Sequence, residues 1–71
     1  RDRPVLLIEI EERYTKRAIE ADLARVLALG YAGLFLERTR LTPLARFDPE
    51  RHHRRPEPGL YVNNFIFLPL G

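Results

Sequence analysis

The stretch Tyr61-Val62-Asn63-Asn64-Phe65-Ile66-Phe67-Leu68-Pro69 decides the fold. Successive side chains of an extended segment point to opposite faces. Val62, Ile66 and Leu68 therefore fall on one side of a strand over 61–68, and Tyr61, Phe65 and Phe67 on the other. A strand that is apolar on both sides needs cover above and below. Pro69 ends its ladder, because proline has no backbone N–H to donate. The opening run Val5-Leu6-Leu7-Ile8 makes the same demand, and with Glu9 and Ile10 it reads as a strand over about 4–11. Only one helix in the chain is long enough to cover such strands. Residues 1–71 thus read as the terminal piece of a larger α/β sheet domain.

Between these strands the spacing predicts a helix over about 16–29. Ile19, Leu23, Val26 and Leu27 recur at helical intervals and form one apolar stripe, with Glu20, Asp22 and Arg25 off it. Thr15 is placed to act as its N-cap. Gly30 ends it, since a residue without Cβ enters the left-handed conformation of a C-terminal cap, and Tyr31 can then pack back on Val26. Ala32 to Glu37 forms a second strand. Strand, helix and strand joined by short turns make a β-α-β unit, whose strands run in the same direction. The segment 38–60 carries Pro43, Pro49, Pro56, Pro58 and Gly59, so it reads as a loop apart from a brief return strand within 41–47. A loop of that length in a compact domain tends to be functional or mobile.

Composition narrows the classes. A chain of 71 residues is at most one small domain, and at that size folding buries only about 60% of the unfolded surface. Its 45% hydrophobic and 31% charged residues are those of a globular chain and argue against disorder. The lack of cysteine excludes a disulfide scaffold and thiolate metal ligands. No apolar run approaches the roughly 18 residues that span a bilayer, and Arg1-Asp2-Arg3-Pro4 does not open a signal peptide. The expectation is a soluble, cytoplasmic protein with no membrane partner. A net charge of +2 says little about partners.

Taken together, Pro4-Val5-Leu6-Leu7-Ile8-Glu9-Ile10, Leu29-Gly30-Tyr31, Arg40-Leu41-Thr42-Pro43-Leu44 and Asn63-Asn64-Phe65-Ile66-Phe67-Leu68-Pro69 resemble the C-terminal part of FkbM-type methyltransferases, in order as well as in separation. The resemblance covers nearly the whole chain. It implies an S-adenosylmethionine-dependent O-methyltransferase on the class I, Rossmann-like sheet, acting on a small-molecule or glycan acceptor. It further implies that the last strand is antiparallel and inserted between the two parallel ones. The glycine-rich turn and the ribose-binding acidic residue of such folds are absent from 1–71. The cofactor would be S-adenosylmethionine in the parent enzyme, with no cofactor-binding residue in this chain. The piece alone is then expected to be inactive, its partner being the N-terminal half of the same domain.

Ligands of open α/β sheets bind outside the carboxyl ends of the parallel strands. That edge here gathers Glu9, Glu11, Glu12 and Tyr14 after the first strand, Glu37 and Arg38 after the second, and Tyr61, Asn63 and Asn64 before the last. Glu9 is the foremost candidate to hold the acceptor hydroxyl or take its proton. Asn63 is a candidate hydrogen-bonding group beside it, and Tyr14 a rim residue. Arg54 and Arg55, in the run Arg51-His52-His53-Arg54-Arg55, are candidates to attract an anionic acceptor. The simpler readings are a strand-end ion pair for Glu9, loop hydrogen bonds for Asn63 and a solvated basic loop for the arginines. Adjacent histidines without a third ligand argue against a metal site. A short basic run without interleaved aromatics argues against nucleic acid. The alternative functions are a stand-alone α/β module whose basic loop binds nucleic acid or another anion, and a unit that self-associates through exposed sheet edges.

Overall fold

The computed structural model describes residues 3–70. In chain order the elements are β1 (Leu6–Glu9), a short helix α1 (Glu12–Thr15), the main helix α2 (Ile19–Ala28), β2 (Tyr31–Glu37), β3 (Arg40–Pro43), a 3-10 turn (Leu44–Arg46), a π-helical turn (Glu50–Arg54) and β4 (Asn64–Pro69). The strands form one sheet in the order β1-β4-β2-β3, and every pairing in it is antiparallel. β1 and β2 each oppose β4, so they point the same way with β4 between them. They do not pair with each other, and the sheet holds no parallel ladder among the described residues.

One face of the sheet is covered. The row Ile8, Phe65, Phe35 and Thr42 crosses all four strands on that side, and α2 lays Ile19 and Leu23 over it. Phe35, Phe65, Phe67 and Ile19 are fully buried. Phe47 meets the Phe35 and Phe65 rings edge-on, at 5.4 and 5.2 Å, a favoured aromatic geometry. Gly33 makes room for this packing: a Cβ there would lie 2.5 Å from Leu44 Cδ2.

The other face is open. Its central row is Leu7, Ile66, Leu34 and Pro43, with Leu36 opposite Leu41 beside it. Leu7 is 75% exposed and Leu41 52%. The cover expected on both faces of the first and last strands is thus present on one face only among the described residues. The side chains have the expected apolar character, but the described residues supply a layer for one side only. The molecule is accordingly just 16 Å thick in its shortest dimension.

The face assignment of the last strand is corrected as well. Regular pairing begins at Asn64, not Tyr61. Val62 N–H donates to His52 O at 2.6 Å instead of joining a ladder. Alternation does not run through 61–63, so Val62 is buried with Phe65 rather than lying beside Ile66 and Leu68. The segment 38–60 is more regular than its prolines suggest, with β3 paired to β2 and the two tight turns following it.

α2 begins with the apolar stripe, at Ile19, and not at the expected start near Lys16. Lys16, in the left-handed region at φ 62°, closes α1 by donating its N–H to Glu12 O. Thr15 is not the N-cap of α2; its hydroxyl accepts from Arg17 N–H at 3.2 Å. Glu12 supplies the cap instead, Oε2 accepting from Ile19 N–H at 2.6 Å, which satisfies an orphan donor and places a negative charge at the helix N-terminus. At the other end Gly30 has φ 90°. Arg3 there donates to Leu29 O (2.5 Å), Gly30 O (2.9 Å) and Leu70 O (3.1 Å), a cation at the negative end of the helix dipole. Gly30→Ala forces a side chain into left-handed backbone and to 3.0 Å from the Arg3 guanidinium. The expected loss is about 1–2 kcal/mol, read from urea unfolding midpoints. Ala24→Gly, in the exposed middle of α2, is expected to lose about 1 kcal/mol by a different route, helix propensity.

Candidate functional site

β1 and β2 end at the edge where β4 begins, and polar side chains converge there. Ile10 N–H donates to Asn63 O at 2.8 Å, which holds the segments after β1 and before β4 side by side. Glu11, only 7% exposed, accepts from the Tyr61 hydroxyl, from Asn63 Nδ2 at 3.4 Å and from Arg13 Nε at 3.3 Å. Asn63 Nδ2 also donates to Glu9 Oε2 at 3.0 Å. Glu9 and Asn63 are thus brought together, and Glu11 and Tyr61 join them.

Both histidines of the basic run are buried, against the reading of that run as a solvated loop. His52 packs edge-on to Phe35 at 5.0 Å and stacks on Phe47 at 5.6 Å. Its Nδ1 accepts from Asp48 N–H at 2.9 Å, so Nε2 carries the proton and donates to Glu37 Oε2 at 3.0 Å. His53 has the opposite tautomer by the same logic. Its Nε2 accepts from Glu12 N–H at 3.2 Å, and Nδ1–H donates to Val62 O at 2.9 Å. With its one lone pair occupied by a backbone amide, His53 is neutral, and Glu11 Oε2 at 3.9 Å is a neighbour rather than an ion-pair partner. The rings leave the π-helical turn toward different elements, His52 to β2 and His53 to the start of β4. Among the described residues no group of three or more His, Cys, Asp or Glu is placed to hold a metal ion.

Arg54 is enclosed by acids. It forks onto Glu12, with Nε to Oε1 at 3.0 Å and Nη2 to Oε2 at 2.8 Å, and it also bonds Glu50 at 3.0 Å and Glu20. One guanidinium thus ties the π-helical turn to α1 and α2. As an anion-attracting group it is disfavoured, because three carboxylates already surround its charge. Arg55 is 88% exposed, 3.9 Å from Glu50. Tyr14 is 80% exposed under the Arg13 guanidinium and apart from the Glu9–Asn63 contact.

These contacts shift carboxylates in one direction. The Arg54 hydrogen bonds hold Glu12 and Glu20 below the usual carboxylate range, and the His52 ring N–H does the same for Glu37. A carboxylate whose folded pKa is depressed stabilises the fold above its unfolded value, here about 4.5, and that stabilisation is lost as pH falls through the folded value. The melting temperature is therefore expected to fall as pH drops from about 4.5 toward 3. In Arg54→Met, where two of the three depressions lose their main cause, the fall over that interval is expected to be shallower, although the variant melts lower at pH 7. Circular dichroism melts at each pH check this.

Two depressions flank Tyr61. The larger, about 450 Å³, lies between the end of β1 and the π-helical turn and is lined by Glu11, Glu12, Arg13, His53, Arg54 and Tyr61. The smaller, about 230 Å³, opens on the uncovered face and includes Leu7, Leu36, Arg38, Asn63 and Ile66. Glu9 and Tyr14 line neither. The roles of His52 and His53 had one faint sequence signal: in a run of cations they alone can be neutral at pH 7 and so be buried without a counter-charge.

A scan against protein-family models finds no match to this chain, and searches of curated proteins and of solved structures find none.

Proposed function

We propose that this chain is the C-terminal part of an S-adenosylmethionine-dependent O-methyltransferase of the FkbM type and forms the acceptor side of its site. The observation that carries the reading is the strand order. β4 lies antiparallel between two co-directional strands that are linked through a helix, the arrangement that the sequence resemblance calls for. The uncovered apolar face and the unpaired outer edge of β1 support it further, being surfaces that a preceding half-domain would cover and extend.

The residues present do not fit the cofactor. No glycine stands between β1 and α2, so no tight turn brings backbone amides to a ligand there. The work assigned to this chain is binding and orientation of the acceptor by the groups around Glu9, Glu11, Tyr61 and Asn63. Sequencing of the coding region upstream of the Arg1 codon tests the assignment. The reading requires an open frame of roughly 150 or more residues that includes a strand followed by a glycine-rich turn. A frame that starts near Arg1 removes it.

A self-associating unit is the second reading, favoured by the same free edge and open face. The basic-loop reading gains no support, since the run's two histidines are buried and Arg54 is neutralised within the chain.

A further inference from the structure

The larger depression beside Tyr61 has walls of unusual charge economy. Each of its cations already has an acid partner: Arg13 is paired with Glu11, and Arg54 with Glu12, Glu20 and Glu50. His53 is neutral by its hydrogen bonds. An anion entering this space meets no unpaired positive group and faces the buried Glu11 carboxylate.

Glu11 itself retains acceptor capacity. A carboxylate offers about four lone-pair positions. Three donors occupy it: Tyr61 and Asn63 on Oε1, Arg13 on Oε2. The Arg13 bond, at 3.3 Å, takes only part of the acceptor capacity of Oε2, so a ligand hydroxyl can donate to the remaining lone-pair position with Arg13 still in place. Tyr61 supplies the complementary surface. His53 stacks on its ring at 5.6 Å with planes 15° apart, which fixes the ring while 43% of the residue stays exposed. A carboxylate acceptor beside a fixed, exposed aromatic ring matches a molecule that presents O–H donors around its rim and C–H groups on its face.

We infer that this depression binds a neutral polyhydroxylated ring, such as an uncharged sugar, with a hydroxyl donating to Glu11 and the ring lying against Tyr61. The inference deepens the reading above, in which the ligand would be the methyl acceptor, and it replaces the anionic acceptor that Arg54 and Arg55 suggested from sequence. Binding itself needs no cofactor.

Saturation-transfer NMR on the full gene product, with glucose and glucose 6-phosphate as probes, tests it without S-adenosylmethionine. Glucose is expected to bind at least about threefold more tightly than its phosphate. Glu11→Gln should weaken glucose about tenfold, the size of one charge-assisted hydrogen bond, and strengthen the phosphate, so that the preference reverses. Tyr61→Leu should weaken glucose and leave the Glu11-dependent rejection of the phosphate in place. Tighter binding of the phosphate by the unaltered protein overturns the inference, as does a preference ratio unmoved by Glu11→Gln, including through equal loss of both ligands. A gene product that binds glucose in this way but not S-adenosylmethionine would sink the methyltransferase reading alone.

Discussion

Phe65→Ala is expected to leave the chain largely unfolded at 25 °C. Phe65 is fully buried at the centre of the covered face, paired with Ile8 on one side and Phe35 on the other and touched edge-on by Phe47. Truncating a buried phenylalanine costs about 3–5 kcal/mol, the removed hydrophobic surface plus the cavity left behind. A chain of 71 residues has a total stability on the order of 4–10 kcal/mol, and a sheet covered on one side only belongs at the lower end. Leu7→Ala is the matching control. Leu7 is also a strand leucine, but it points to the open face and is 75% exposed, so its loss is expected to stay within about 0.5 kcal/mol. Urea unfolding of the two variants tests which face is covered; similar losses at both positions would contradict the assignment.

The second large effect is at His52, and two substitutions separate its contributions. His52→Phe keeps a ring between Phe35 and Phe47 but leaves Asp48 N–H without its acceptor and Glu37 without its donor. Stranding partners in this way costs about 1–3 kcal/mol. His52→Ala removes the ring as well and is expected to cost about 3–5 kcal/mol. If both variants lose the same amount, the ring does not pack as described. If His52→Phe costs nothing, the two hydrogen bonds contribute nothing. The position matters beyond stability, because His52 fixes the π-helical turn on which His53 and Arg54 stand.

The sheet could be read from the sequence because its strands carry strong, short-range signals. Phe65 and Phe67 on one parity, with Ile66 and Leu68 on the other, announce a strand flanked on both sides, and Gly30 marks the helix end through a backbone conformation that few other residues tolerate. Periodicity cannot say whether the second layer is present, which is why Leu7 reads as a buried residue and is found exposed. Thr15 reads as a cap because capping is ordinarily local; the actual cap comes from Glu12, seven residues before the Ile19 amide that it accepts, and no local rule announces that contact.

The site was harder to read because its contacts span long sequence separations. Glu9 and Asn63 were placed together by topology alone, since the end of β1 and the start of β4 must share an edge once β4 is inserted. Arg54 reads as a free cation because two of its three acid partners, Glu12 and Glu20, lie 42 and 34 residues away; only Glu50, four residues before it, is a local partner. His52 and His53 looked solvated because the neighbours that bury them, Phe35, Phe47 and Tyr61, come from other elements.

Calorimetric titration of S-adenosylmethionine into the full gene product, and in parallel into residues 1–71 alone, bears most directly on the functional assignment. Saturable binding is expected for the full product and none for the 71-residue chain, whose segment between β1 and α2 has no glycine-rich turn. Binding by the short chain, or its absence from the full product, would contradict that assignment.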